Sequence, residues 1–341
     1  MSPFTKKAVA GLCALLLLFA GAFLLQSAAA SRDAEPGPAA STSASRPVQA
    51  ASPREQETQV VSSIPHITAA PAASAVFASG TGKPGPVKSA TPIHYTNKVA
   101  VLMYHDFKED PKAKSVSAKV FAEQLGTLKA NGFQFISMEQ FKAFKLNRGK
   151  VPANAVLVTF DDGYEDFYTV AYPYLLKNKI PATNFIIVWS TDTGNPGGNP
   201  HLTWDQMREM TKNGMSFYSH TYDQHFYIPG SGPALTSRYP AEKGKPAETA
   251  EHYRKRIKDD LALADKRIHD ELATPTDVFC YPYGANNHDL RAASIALGHK
   301  LDVTISPGLN GSDGRTVYRI NAGYKSISGK TLMQTIVKYA K

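Results

Sequence analysis

The sequence lacks several features that would assign its class at once. It has two cysteines in 341 residues, Cys13 and Cys280, and they are poorly placed to bridge, so no disulfide framework is expected. No glycine-rich phosphate loop follows any predicted strand, which argues against nucleotide binding. There is no internal repeat. The formal charge is +9, but no dense lysine and arginine cluster is interleaved with aromatic residues, so we expect no nucleic-acid partner.

The clearest targeting signal lies at the N-terminus. Lys6 and Lys7 precede an uncharged apolar stretch over residues 8–25, and small residues follow at 26–30. This pattern is typical of a secretory signal peptide, and its length also suits an uncleaved membrane anchor. We therefore expect an exported protein, either extracellular or at the cell surface, with residues 1–30 as its only contact with a membrane.

Residues 31–96 are rich in Ala, Ser, Pro, Thr and Gly and show no periodicity. Such a stretch cannot bury enough apolar surface to offset the entropy of ordering it, so we predict a disordered linker. The pattern changes at residue 97. We expect one domain over 97–341, and we expect the protein to be a monomer.

Within this domain, short apolar runs alternate with segments of helical periodicity. The predicted strands are 98–104, 135–136, 155–160, 183–188, 215–219, 277–281, 303–306 and 317–321. The predicted helices are 117–132, 138–146, 167–176, 204–211, 248–272, 289–297 and a last one from about 330. Repeated strand–helix pairs predict an α/β fold, a distorted (β/α) barrel of about seven to eight parallel strands. An open doubly wound sheet is the alternative.

Polar residues follow several of these strands, at the end where such folds carry their active groups. Asp161 and Asp162 follow the strand 155–160, and two adjacent carboxylates repel each other unless a cation relieves them. His220 follows the strand 215–219, and His225 comes five residues later. Two histidines and one carboxylate form a familiar open metal site. Each residue alone is also compatible with a turn or a hydrogen-bonded core position.

Two further strand ends are candidates. His105 follows the first strand and is placed to exchange protons at the same edge. Tyr281-Pro282-Tyr283-Gly284 follows the strand 277–281, and its backbone N–H groups are candidate oxyanion donors. An ordinary strand-to-helix turn explains this segment about as well.

Three of these segments together resemble the polysaccharide deacetylase family, also called NodB homology or carbohydrate esterase family four. They are Thr159-Phe160-Asp161-Asp162-Gly163, the pair His220 and His225, and Tyr281-Pro282-Tyr283-Gly284. Met103-Tyr104-His105 resembles a strand that comes last in most members. Here it comes first, as in the permuted branch that contains the biofilm poly-β-1,6-N-acetylglucosamine deacetylases. The resemblance covers about residues 98–325.

The resemblance implies a metal-dependent hydrolase that removes N-acetyl groups from an extracellular N-acetylglucosamine polymer, with the β-1,6-linked polymer favoured. Asp161 would be the general base and His105 the general acid. Zinc, or alternatively nickel or cobalt, would be the metal, and its ligands would be Asp162, His220 and His225. The oxyanion or substrate would be bound by Tyr281, Pro282 and Tyr283, chiefly through the Tyr283 backbone.

Two departures and several alternatives accompany this interpretation. Most members separate the two histidines by four residues, and many carry an arginine near the base aspartate where this chain has Phe279-Cys280-Tyr281. What orients Asp161 is therefore left open. Peptidoglycan, chitin-type oligomers and O-acetyl xylan are alternative substrates. A non-catalytic carbohydrate-binding adhesion module is the alternative class.

Overall fold

The structure, a computed structural model, describes residues 92–109, 115–196 and 198–341. The predicted signal or anchor and the predicted linker as far as residue 91 lie outside the described residues. Within the described ranges, no helix combines the length and the apolar character that a membrane crossing requires. Packing begins before residue 97, because Tyr95 is buried and its hydroxyl donates a 2.8 Å hydrogen bond to the carbonyl of Ala155.

Among the described residues, ten strands form one sheet, and two more form a separate hairpin. In chain order they are β1 (Val99–Tyr104), β2 (Gln134–Phe135), β3 (Ala155–Asp162), β4 (Ala182–Ile187), β5 (Met215–Thr221), β6 (Tyr227–Ile228), β7 (Gly232–Pro233), β8 (Val278–Cys280), β9 (Leu301–Val303), β10 (Leu309–Asn310), β11 (Thr316–Val317) and β12 (Ile320–Asn321). Neighbours follow the order β10-β1-β3-β4-β5-β8-β9-β11, with β2 beside β3 and β12 beside β1. This nearly closed, mostly parallel barrel confirms the predicted fold.

Eight α-helices surround the barrel in the described part of the chain. They are α1 (Ala118–Ala130), α2 (Met138–Asn147), α3 (Tyr172–Asn178), α4 (Val188–Thr193), α5 (Trp204–Thr211), α6 (Ala250–Leu272), α7 (His288–Ala296) and α8 (Gly329–Ala340). Six begin at a side chain that accepts a hydrogen bond from a backbone N–H of the first turn, as good N-caps do. These caps are Ser117, Ser137, Thr203, Thr249, Asn287 and Ser328.

Strand alternation divides the core into two main layers. One layer includes Leu102 and Val158 and packs against helix residues such as Leu125. The other includes Leu157 and Tyr218 and draws side chains from most strands of the barrel, so it fills the interior. The interior layer is apolar toward the strand starts, which leaves the polar residues gathered at the carboxyl ends.

The barrel is closed by residues 316–321, where the sequence predicts a single strand over 317–321. β11 pairs with β9, whereas β12 pairs with β1, so this segment changes partners at Tyr318 and Arg319. The Arg319 side chain is fully buried, although a lone arginine is rarely tolerated in a core. The break in the strand therefore places the positively charged guanidinium of Arg319 inside the barrel.

Several boundaries differ from the predictions. β3 and β5 continue past residues 160 and 219, because each remains paired with β4 as far as Asp162 and Thr221. The predicted helix 167–176 is a π-helical turn (Phe167–Ala171) followed by α3. The predicted strand 183–188 ends at Ile187, and α4 begins at Val188. One sheet pair, β10 with β1, is antiparallel where we expected parallel strands.

Candidate metal centre and active site

Asp161 and Asp162 are the last two residues of β3, and their carboxylates have different partners. Asp162 has a φ of +75°, a left-handed conformation that is uncommon for a residue with a side chain. Gly163 follows at +81°, and a Cβ there would lie 3.0 Å from Cγ2 of Ile186, so glycine is needed at this turn. The turn lets the two neighbouring carboxylates serve two separate sites.

Asp161 is paired with Arg319 in the barrel interior. The guanidinium donates two hydrogen bonds to the carboxylate, at 2.6 and 2.7 Å, and a third to the carbonyl of Thr304 at 2.8 Å. Burial alone would raise the pKa of Asp161, but the charge and hydrogen bonds of Arg319 outweigh it and hold that pKa well below its usual range. Asp161 is therefore an oriented carboxylate that stays ionised.

Asp162 lies between the two histidines. Its Oδ1 atom is 3.6 Å from Nε2 of His220 and 3.4 Å from Nε2 of His225. The same oxygen is buried and has no hydrogen-bond partner among the described residues. A buried carboxylate oxygen without a donor is costly, so this position calls for a cation.

His220 is prepared as a ligand by its surroundings. Its Nδ1 lies 2.8 Å from the carbonyl of Cys280, a contact that requires the proton on Nδ1 and directs the lone pair of Nε2 toward Asp162. Burial lowers the pKa of His220 to about 4, so the ring is neutral near pH 7. A neutral imidazole with a free Nε2 is the form that binds a metal.

The three groups fit a metal ion. Zinc bonds to nitrogen and oxygen are about 2.0–2.2 Å long, which places tetrahedral ligand atoms about 3.4 Å apart. The distances from Asp162 Oδ1 to the two ring nitrogens match this spacing, and all three ligand atoms lie within 4.8 Å of one another. His225 is the more accessible of the two histidines, so the cluster faces the cleft on one side.

A second group, Asp161, His220 and Cys280, has ligand atoms equally close together but fits a metal poorly. Asp161 already holds Arg319, whose positive charge would repel a second cation. Burial raises the pKa of the Cys280 thiol well above its usual range, so it does not offer the thiolate that a metal binds. The Asp162 cluster is thus the better metal site.

His105 stands at the opening of the site. Its Nε2 is 3.7 Å from Oδ2 of Asp161, and its side chain is 42% exposed. It lines a cavity of about 260 Å³ together with Asp162, Tyr164 and Tyr324. The position gives His105 access both to solvent and to the carboxylate of Asp161.

The turn Tyr281 to Gly284 faces the same cleft. Tyr283 has a φ of +60°, and its ring packs at a tilt against His225, with 4.4 Å between centroids, and against Tyr227, with 4.7 Å. Gly284 also has a positive φ, and a Cβ there would lie 2.4 Å from Ile305. Tyr281 and Pro282 are buried, so their side chains anchor the turn rather than line the cleft.

A second cavity, of about 310 Å³, reaches the cluster of Asp162, His220 and His225 at His225. His225 and Tyr164 line it, and so do Trp189, His201 and Phe226. Burial lowers the pKa of His201, whose Nδ1 lies 2.8 Å from the carbonyl of Asn199. The cleft thus includes a cavity at Asp162 and a cavity at His225, and polar and aromatic side chains line both.

Sequence reasoning placed His105, Asp161, Asp162, His220 and His225 at one end of the barrel, and the structure brings them together there. It missed Arg319, which lies 158 residues after Asp161 in the chain and belongs to no recognisable motif. It also missed the cleft residues Tyr164, His201 and Tyr324. An arginine in the middle of the predicted strand 317–321 was the one signal available for Arg319.

An open site of two histidines and a carboxylate, beside an oriented carboxylate at the carboxyl end of a (β/α) barrel, is the arrangement of a metal-dependent hydrolase. Residues 148–301 match the family model "Polysaccharide deacetylase". One relative is YxkH of Bacillus subtilis (strain 168), whose name describes it as a polysaccharide deacetylase. It is 31% identical over 216 residues, and this match covers 63% of this chain and 67% of that protein.

Two further relatives carry a substrate in their names. The poly-β-1,6-N-acetyl-D-glucosamine N-deacetylase of Staphylococcus aureus (strain MRSA252) is 28% identical over 61% of this chain and 69% of its own length. The protein of the same name from Escherichia coli (strain K12) is 27% identical over 62% of this chain. The matched part is only 34% of that longer relative.

The fold comparison agrees with the sequence comparison. The structure of a de-N-acetylase from Aggregatibacter actinomycetemcomitans superposes with a TM-score of 0.64 at 25% identity, covering 70% of this chain and 100% of that chain. The chain therefore belongs to the polysaccharide deacetylase family, and it is an enzyme of that class.

Proposed function

We propose that this enzyme removes N-acetyl groups from an exported N-acetylglucosamine polymer, and that the polymer is poly-β-1,6-N-acetylglucosamine. The carrying observation is the cluster of Asp162, His220 and His225 beside the Arg319-bound Asp161, because metal-assisted amide hydrolysis uses a cation site and a fixed base together. The names of the two relatives above support the β-1,6 polymer. So does the position of His105 at the start of the domain.

In this proposal Asp162, His220 and His225 hold a divalent metal, zinc first, with nickel or cobalt as alternatives. A metal bound there would polarise the acetyl carbonyl and would lower the pKa of the attacking water from 15.7 toward about 7. Nitrogen and oxygen ligands without sulfur accept all three of these ions, so the ligand set does not choose between them.

Asp161 acts as the general base. Its low pKa makes it a weak base, so it removes a proton only from a water that is already acidified. Arg319 orients Asp161, as the arginine that many family members carry in place of one of residues 279–281 would do. The two parallel hydrogen bonds of the guanidinium fix the plane of the carboxylate, whose Oδ2 atom lies 3.7 Å from Nε2 of His105.

His105 protonates the leaving amine, and the backbone of Tyr283 binds the developing oxyanion. His105 lies beside Asp161 and reaches solvent, so it can be protonated again after each turnover. Because Tyr283 has a positive φ, its N–H group points in a different direction from that of a residue in a regular helix. Removing one oxyanion donor typically costs about 10²–10³ in rate.

Export by the N-terminal segment would bring the enzyme to its polymer. The predicted signal or anchor at 1–30 and the linker at 31–96 would let the domain at 97–341 act at the cell surface. Deacetylation turns neutral amides into amines, so the product polymer would be cationic and would adhere to anionic surfaces.

Acetate release tests the proposal. The full chain, loaded with Zn²⁺, is incubated with poly-β-1,6-N-acetylglucosamine, chitin oligomers, peptidoglycan and acetyl xylan, and Asp161→Asn serves as the inactive control. The expected result is fastest acetate release from the β-1,6 polymer by the wild type. Faster release from another glycan would overturn the substrate assignment, and no release from any of them would overturn the proposed activity.

A further inference from the structure

The loop between the two histidines has an unusual backbone. β4 and β5 lose register here, since Ile186 pairs with Ser219 but Ile187 pairs with Thr221, which makes His220 the extra residue of a bulge. Thr221 has a φ of +130°, a value that side chains branched at Cβ rarely adopt. Such a conformation persists only where the surroundings hold it in place.

Asp260 of α6 holds this loop. Its carboxylate accepts hydrogen bonds from the Thr221 hydroxyl, from the Tyr222 N–H at 3.1 Å and from the Asp223 N–H at 2.8 Å. The Thr221 hydroxyl in turn accepts a 3.1 Å bond from the Gln224 N–H. Asp260 is 8% exposed, so these bonds are shielded from water.

Two further contacts complete the support. Arg256, about one turn earlier on α6, donates a 2.7 Å hydrogen bond to the side chain of Gln224. The N–H of Trp189 donates a 3.0 Å bond to the carbonyl of Tyr222. Each residue from Thr221 to Gln224 is therefore tied to a neighbouring element or to its own turn, and His225 follows directly.

The two histidines differ in what orients their rings. His220 is fixed by the contact of its own Nδ1 with the carbonyl of Cys280. No hydrogen bond to the His225 ring is found among the described residues, so its position depends on the backbone that carries it and on the tilted contact of its ring with that of Tyr283. The loop held by Asp260 determines where that backbone lies.

We propose that Asp260 is a positioning residue for the metal centre, which it serves by holding the loop so that His225 reaches Asp162. This proposal rests on the metal site of the proposed function. It also accounts for the spacing of five between the histidines, because the bulge at His220 and the Asp260-bound turn absorb the additional residue.

The same helix provides a matched control for a purely structural role. Asp265 is also 8% exposed, and it accepts hydrogen bonds from His299 at 2.9 and 3.1 Å, in a network that does not touch the histidine loop. Asp260→Asn and Asp265→Asn each replace a buried, hydrogen-bonded carboxylate of α6. An amide cannot accept at all of the positions that a carboxylate serves, so each variant loses bonds.

The test measures the Kd for Zn²⁺ by competition with a chelator, and the free energy of unfolding without metal, for the full-length variants. We expect both variants to lose stability and only Asp260→Asn to lose Zn²⁺ affinity, by about 10–100-fold. Equal Zn²⁺ affinities for Asp260→Asn and the wild type would overturn the proposal, and so would an equal loss in both variants.

A second pair of variants keeps the test decisive if Asp260→Asn does not fold. Thr221→Val keeps the branched side chain but removes the hydroxyl, whereas Thr221→Ser keeps the hydroxyl. We expect weaker Zn²⁺ binding for Val and near wild-type binding for Ser, and equal binding by the two would contradict the proposal. A wild type that binds Zn²⁺ but releases no acetate would overturn the proposed function alone.

Discussion

Asp161 and Asp162 are adjacent, buried and part of the same strand end, yet their surroundings differ in charge. Asp161 faces a buried guanidinium that neutralises it with two short hydrogen bonds. Asp162 faces two imidazoles and keeps an oxygen without a donor. The comparison shows how one turn with positive φ separates a carboxylate that is already paired from one that still needs a cation.

The largest effect is expected from removing the paired carboxylate. Asp161→Asn should lower kcat for acetate release by about 10²–10⁴, the usual contribution of a positioned base. The Kd for Zn²⁺ should stay near the wild-type value, because Asp161 is not one of the proposed ligands. Steady-state kinetics on the polymer and a Zn²⁺ titration check both parts. A large loss of Zn²⁺ affinity would contradict the division between the two residues.

Breaking the ion pair from the other side tests its energetic weight. Arg319→Gln leaves Asp161 as an uncompensated buried charge, which typically costs about 3–5 kcal/mol of stability. Arg315→Gln is the control, since Arg315 lies four residues earlier, is partly exposed and pairs with Asp302 instead. Chemical denaturation of both variants gives the two costs. Equal costs would mean that the Asp161 pair has no special importance.

The unpaired carboxylate should matter for metal binding. Zn²⁺ at 100 times its Kd should stabilise the wild type by about 2.7 kcal/mol, since only the folded state binds it. Asp162→Asn should lose most of this gain at the same Zn²⁺ concentration, and Asp161→Asn should keep it. Unfolding curves with and without Zn²⁺ measure the difference. An unchanged gain in Asp162→Asn would remove Asp162 from the site.

A third carboxylate sharpens the comparison with a smaller effect. Burial, together with the nearby charge of Asp106, raises the pKa of Asp166 to about 6 from an ordinary value near 3.8. A pKa raised by folding gives stability that is complete below pH 4 and is lost as the pH rises through 6.

Asp166→Asn removes this ionisation. The variant should therefore gain stability relative to the wild type between pH 4 and pH 7.5, as measured by Tm at each pH. Asp259→Asn, at an exposed position on α6, is the control. A difference in Tm that does not change with pH would contradict the raised pKa.

Much of the fold and part of the site follow from local sequence. The strand and the carboxylates that end it are contiguous, so the pattern of residues 155–162 predicts both a buried strand and its polar end. The same holds for residues 215–220. The helices α1 and α5 begin within one residue of their predicted starts, and Ser117 and Thr203 cap them through bonds to the residue three positions later.

What the sequence did not reveal depends on long-range packing. Arg319 is recognisable only after the barrel closes and brings it to Asp161, and the partner change at residues 318 and 319 has no local signature. Asp260 lies on a helix with many charged residues, so its sequence context indicates an exposed surface position. The π-helical turn at Phe167–Ala171 carries an apolar pattern that an α-helix shares.

The most direct test of the divided roles is X-ray absorption spectroscopy at the zinc edge of the Zn²⁺-loaded protein. Binding by Asp162, His220 and His225 predicts a first shell of nitrogen and oxygen at about 2.0–2.2 Å, with imidazole features from two rings. A sulfur ligand at about 2.3 Å would place the metal instead at Asp161, His220 and Cys280, and would contradict the account.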